Sequence, residues 1–310
     1  MAEMVYQRDI YGQTLVELGR QNKNVVVLDA DLSCSTKTKL FGAEFPERFF
    51  NFGVAEQNMM AAAAGLASCG KVVFVSTFAM FASGRAWDQV RNTICYNNFD
   101  VKIVATHAGI TVGEDGASHQ AIEDLALMRC IPNMKVVVPC DGPETREVII
   151  TAFNTPGPFY IRLGRSKFPT VTDRPPFKLG KASILTQGTE VTIIACGILV
   201  SEALKAYEDL KKQNISAQVI NMHTLRPLDS QTIIQSARNT KGIVVCEEHA
   251  AVGGLACAVD EIVCENHPTK VYRVNIKDKF GQSGSAERLL EEYHLRSSDI
   301  VAAAKSIVGQ

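Results

Sequence analysis

Two short stretches of this sequence carry the residue types that do chemistry. Residues 106–120, THAGITVGEDGASHQ, hold His107, Asp115 and His119 among three glycines. They follow the apolar run 101–105, so they begin where a buried strand ends and are too glycine-rich for a helix. Two imidazoles with a carboxylate between them are poorly explained as caps and turns, which leaves them as candidate functional groups. Residues 53–57, GVAEQ, put a single carboxylate, Glu56, at the entrance of a nearly all-apolar run, 59–67. A carboxyl group under apolar cover is costly to ionise, so it tends to be held there by a proton or a bound ligand.

Other chemistries fit these residues less well. His107, Asp115 and His119 have no common zinc spacing and no cysteine beside them. A Ser–His–Asp triad would need a nucleophile elbow, and no G-x-S-x-G occurs; Ser83 lies in a motif of another shape. A P-loop and a strand-linked G-x-G-x-x-G are also missing. No metal site is therefore expected on this chain.

The elements that would position these residues are legible as periodicity. Strand-length apolar runs at 25–28, 72–75, 101–105, 136–138 and 160–163 alternate with helical patterns at 54–67, through Trp87, Val90 and Ile94, and at 144–153. That alternation predicts an α/β fold with an open parallel sheet. A tract with three prolines and mixed charges, 169–180 with its approach from Ser166, reads as an interdomain linker. Beyond it, runs at 191–196, 217–220, 243–246 and 271–274 predict a second α/β unit. The expected organisation is a first domain over 1–168 and a second over 181–310.

Open parallel sheets bind ligands at the carboxyl ends of their strands. Asp29, Asp31, Ser33 and Ser35 follow the first strand, Thr77 and Phe78 the next, and Thr106 and His107 the one after. Pro139 and Asp141 follow a fourth, and Arg165 comes after the last. Caps and turns explain Ser33 and Asp141 equally well. The second unit holds no acid–base cluster; His223 and His249 are as suited to capping or packing as to catalysis, and Gly253-Gly254 suits a helix start.

Composition bounds the rest. A chain of 310 residues with a formal charge of −1 and no basic stripe gives no support to nucleic-acid binding. No run of ~18 apolar residues can span a bilayer and no signal-peptide core opens the chain. The nine cysteines are unpaired in spacing. Cys95, Cys196 and Cys246 sit in apolar runs, as buried thiols in a cytoplasmic protein would, while Cys34 lies in a polar loop.

The segments GVAEQNMMAAAAGLA, STFAMFASGRAWDQVR, THAGITVGEDGASHQAIEDLALMR and EEHAAVGGLA resemble the transketolase family, and the resemblance covers essentially the whole chain. It implies the thiamine diphosphate-binding fold, as a pyrimidine-binding module followed by a transketolase C-terminal module. By this resemblance Glu56 hydrogen-bonds the aminopyrimidine ring nitrogen of thiamine diphosphate and shares a proton there. Phe78 and Phe81 stack on the pyrimidine, and Asp31 lies close to the cofactor. His107 and His119 line the substrate channel and move protons, while Asp115 binds a substrate hydroxyl. Arg8, Ser35 and Arg165 hold the sugar phosphate with the help of His107. Gly84 departs from the family, which often has a third aromatic there.

Complete transketolases bind the diphosphate and its magnesium through a Gly-Asp-Gly motif, and none occurs here. The resemblance therefore implies one half of a split enzyme, with magnesium ligands on an amino-terminal partner subunit and two copies of each subunit in the assembly. The implied reaction transfers a two-carbon ketol unit between sugar phosphates. Rival readings are a deoxyxylulose phosphate synthase-like chain, a 2-oxo acid dehydrogenase β-like subunit, and a non-catalytic interface partner.

Overall fold

The computed structural model describes residues 3–171 and 175–309. Residues 172–174, inside the expected linker, lie outside the described residues. The tract around them is not a bare tether. Lys167–Pro169 pairs antiparallel with Met4–Tyr6, and Phe177 is buried with its N–H bonded to the Glu147 carboxylate at 2.7 Å.

A seven-stranded sheet runs in the spatial order Thr224–Arg226, Lys135–Val137, Phe159–Arg162, Val101–Thr106, Val72–Phe78, Val25–Asp29 and Phe49–Asn51. Six of these strands are parallel. Their runs of Val and Ile are buried on both faces, as a sheet covered by helices on each side requires. The seventh, Thr224–Arg226, is antiparallel and comes from the far side of the linker. It covers the edge strand Lys135–Val137, whose unpaired backbone would otherwise be exposed. The second unit is a five-stranded sheet in the order Val271–Ile276, Ile243–Ala250, Val191–Ala195, Ala217–Asn221 and Ser183–Thr186. Only the last of these is antiparallel. No helix among the described residues is long and apolar enough to cross a membrane.

One local expectation changes, and two others gain detail. The segment through Trp87 is not an ordinary α-helix: Phe81–Arg85 and Gln89–Cys95 are π-helical. The wider turn brings Phe81 and Arg85 to one side, with the guanidinium 4.7 Å over the ring. Asp141 is a helix cap, accepting the Glu144 N–H at 2.7 Å ahead of Gly142–Asn154. Of the cysteines only Cys95, Cys140, Cys196 and Cys246 are buried. Cys69 and Cys130 stand just past helix ends, and Cys264 is on an exposed helix position.

The two sheets meet through a buried polar cluster. Arg162, at the end of its strand, donates from Nε to Asp124 at 2.8 Å, and from Nη2 to the carbonyls of Ala121 and Glu248 at 3.0 Å each. Tyr160 donates to the same Asp124 oxygen at 2.7 Å. Glu248 belongs to the second sheet, so one guanidinium ties both units together. Removing one partner of such a pair strands a charge in a low-dielectric interior. Arg162→Leu is expected to cost about 3–5 kcal/mol of stability in denaturant titration; a loss below about 1 kcal/mol would show the cluster is dispensable.

Candidate functional site

The polar residues of the first sheet gather at its carboxyl edge, and one buried carboxylate anchors the first of the loops there. Asp29 ends its strand fully buried and accepts from the Leu32 N–H and the Thr36 and Thr38 hydroxyls, at 2.6, 2.7 and 2.8 Å. Burial raises its pKa, while these bonds oppose the rise. The loop so held presents Ser35 beside Arg8. Asp31 at its tip is exposed and takes a left-handed conformation, its carboxylate and N–H paired with the Asn51 amide.

Glu56 opens the helix Glu56–Ser68, where the helix dipole favours a negative charge. Its side chain is 1% exposed, and Arg85 Nη1 meets both carboxylate oxygens, at 2.9 and 3.0 Å. Arg85 itself is half exposed. Sequence reasoning passed over Arg85; its signal was a position four residues beyond Phe81, opposite the small residue Gly84.

The aromatic residues form a row. His107 stacks on Phe78 with centroids 3.8 Å apart, and Phe78 lies parallel to Phe81 at 6.0 Å. His119 stands edge-on to Phe81 at 5.4 Å. Phe78 is 7% exposed and covered by His107, so Phe81 is the ring of the two that keeps open surface. The structure thus brings Glu56, Phe78, Phe81, His107 and His119 together, with Asp115 exposed on the loop between the histidines.

His107 differs from the expected proton carrier. Burial, with Arg8, Arg165 and His119 nearby, pushes its pKa down from 6.5 to about 3. Its Nε2 lies 3.4 Å from Arg8 Nη1 and its Nδ1 2.9 Å from the Thr106 hydroxyl. Arginine can only donate, so Nε2 accepts and the proton is assigned to Nδ1. A ring in this state is a fixed neutral hydrogen-bonding group. His119 is half buried, with its Nδ1 3.0 Å from the Ser118 hydroxyl.

Arg8 also reaches the Ser35 carbonyl at 3.4 Å, so Arg8, Ser35 and His107 are one cluster. Arg165 approaches the loop from the other side, bonding the Val112 carbonyl and the Glu114 carboxylate at 2.6 Å each. An exposed ion pair of this kind is weak, so an incoming anion can draw Arg165 from Glu114. In the second sheet Glu247 caps the helix Leu255–Asn266 by accepting from the Leu255 and Ala256 N–H groups. His249 donates to the Ala250 carbonyl and accepts from the Ala126 N–H. His223 packs 4.5 Å from Phe177. Glu248, unnoticed in the sequence, reaches across to the first unit. No group of three or more His, Cys, Asp or Glu side chains able to hold a metal ion occurs among the described residues.

Comparison with known proteins identifies the two domains. The family described as transketolase, pyrimidine binding domain matches residues 3–170, and transketolase, C-terminal domain matches residues 180–300. A transketolase C-terminal section from Methanocaldococcus jannaschii is 51% identical over 294 residues, covering 94% of this chain and 92% of that protein. The 6-deoxy-6-sulfo-D-fructose transketolase subunit SqwH of a Clostridium species is 40% identical over 301 residues, covering 97% and 94%. A solved split gene transketolase, an inactive β4 tetramer, superposes with a TM-score of 0.91 at 49% identity, covering 98% of this chain and 99% of that one.

The state of His107 is open to a direct test. Its folded pKa lies below its unfolded one, so acidification through 6.5 protonates the unfolded chain first and stability falls toward the folded value near 3. Between pH 7 and 5 the wild-type protein is expected to lose about 2 kcal/mol more than His107→Asn in denaturant titrations. Equal losses in the two proteins would mean that His107 titrates normally.

Proposed function

Because this chain belongs to the transketolase family, we propose that it is the carboxy-terminal subunit of a two-subunit transketolase. In this reading it transfers a two-carbon ketol unit from a ketose phosphate to an aldose phosphate. An amino-terminal subunit completes its site, two copies of each subunit form the assembly, and the cytoplasm is its compartment. The observation that carries the reading is the buried Glu56 carboxylate paired with Arg85, whose guanidinium lies over the half-buried Phe81 ring, on the same sheet edge as an arginine–serine–histidine cluster.

These residues fit thiamine diphosphate. An aminopyrimidine suits aromatic surface and one carboxylate at its ring nitrogen, and the half-buried Phe81 and the buried Glu56 offer these. Asp31, exposed at the neighbouring loop tip, is within the same edge. When bound, the cofactor supplies a nucleophilic carbon that can attack a ketone. Glu56 would hold and share the proton at the pyrimidine nitrogen. Arg85, paired with both its oxygens, holds the carboxylate in place.

Further along the edge, Arg8, Ser35 and Arg165 would hold the terminal phosphate, with the neutral His107 fixing Arg8 in place. Asp115 would accept from a substrate hydroxyl, and His119 would move protons to and from substrate oxygens. Magnesium ligands would come from the partner subunit. Support for a partner comes from the relatives, since one is a C-terminal section, another a named subunit, and the solved split enzyme is an inactive assembly of β chains. The sulfosugar relative supports an anion cluster that tolerates different donors.

The test is transfer from xylulose 5-phosphate to ribose 5-phosphate with thiamine diphosphate and magnesium. The expected result is activity only after an amino-terminal subunit is added, and a loss of at least ~10³-fold in that mixture on Glu56→Ala. Full activity of the lone chain, or a Glu56→Ala mixture as active as wild type, would contradict the proposal.

A further inference from the structure

The loop that carries Asp115 is held from the second unit. The Glu248 carboxylate, buried in the protein, accepts the Thr111 N–H. It lies against Gly109, whose φ of +81° suits glycine and where any Cβ would overlap that carboxylate. At the far end of the loop a Cβ on Gly116 would come within 2.5 Å of the Ser283 hydroxyl. Gln120 closes the contact, donating to the carbonyls of Ile110 and Gln282 at 3.0 Å each. Both ends of the loop are pinned as well: Gly109 N–H bonds Ala121 at 2.9 Å, and Ala250 N–H bonds Ile122 at 2.7 Å.

A glycine-rich loop has many accessible conformations, and its own backbone cannot satisfy all its polar groups. Here the second unit supplies the missing acceptor and the walls. We propose that Glu248 is a positioning residue for the substrate loop 109–116, so that the C-terminal domain forms part of the substrate site. Glu248 touches no substrate. It sets the place of Thr111, and through Thr111 the places of Val112 and Glu114 that engage Arg165, and of Asp115 beside them. The consequence for substrate binding rests on the transketolase reading; the ordering of the loop does not.

The experiment therefore has two arms. In the chain itself, hydrogen exchange of peptides spanning 108–118 is expected to speed up about tenfold in Glu248→Ala, with strand Val101–Thr106 unchanged. Glu248→Gln keeps an acceptor oxygen and should restore near-native protection. In the mixture with the amino-terminal subunit, Glu248→Ala should raise KM for the phosphorylated sugar about tenfold, with thiamine diphosphate affinity within about twofold of wild type. If Glu248→Ala does not fold, Glu248→Asp, shorter by one methylene, takes its place and should show the same changes to a smaller degree. Unchanged loop exchange in a folded variant overturns the positioning role. So does a glutamine variant as exposed as the alanine one, or a fall in kcat with KM unmoved. Faster loop exchange with no ketol transfer by the wild-type mixture would leave the positioning role standing and remove the transketolase reading.

Discussion

A single enclosed guanidinium constrains most of this molecule. Arg162 cannot sit between two sheets unless its charge is paired and its donors are used. Asp124 supplies the charge, and the carbonyls of Ala121 and Glu248 take a second donor. These partners belong to three places that matter: the helix after the histidine loop, the end of that loop, and the second sheet. Satisfying one buried group thus fixes the base of the loop and the docking of the second unit together. Desolvation disfavours the Arg162 cation, but Asp124, Glu248 and Tyr160 together favour it more, so it stays far into its charged form.

On that frame the carboxyl edge of the first sheet separates into two regions of different chemistry. One is apolar with a single carboxylate, where Phe81 and Glu56 face each other's neighbourhood and Arg85 balances the charge. The other is cationic, where Arg8 and Arg165 approach from opposite sides of His107. A ring flanked by two guanidiniums and buried under Phe78 has every reason to remain neutral. Its value to the site is geometric, because it gives Arg8 a fixed acceptor. A flat heterocycle suits the first region and a sugar with a terminal anion suits the second.

Much of this was legible in the sequence because parallel sheets bury whole strands. Runs such as VVVLD and VKIVAT leave few alternatives. The edge-strand partner Thr224–Arg226 was not legible, since a three-residue strand has no period and its partner lies almost ninety residues away by number. The π-turns were missed because Trp87, Val90 and Ile94 fit an α-helix as well as a wider one. In the candidate site, the residues with unusual chemistry for their setting stand out in the sequence: Glu56 before an apolar run and the histidines in a glycine-rich loop. Arg85 and Glu248 were not, since each matters only through a partner distant in sequence, and a surface arginine or a strand glutamate gives no local sign of that. The loss of basicity at His107 depends on its burial and on how Arg8 and Arg165 converge, which no spacing reveals.

The central claim is that the chain holds half of a cofactor site, and calorimetric titration tests it most directly. Thiamine diphosphate with magnesium would be added to this chain, to an amino-terminal transketolase subunit, and to the two mixed. The account predicts saturable binding at one cofactor per pair of subunits in the mixture, at least ~100-fold tighter than to either chain alone. Equally tight binding to this chain by itself would contradict it.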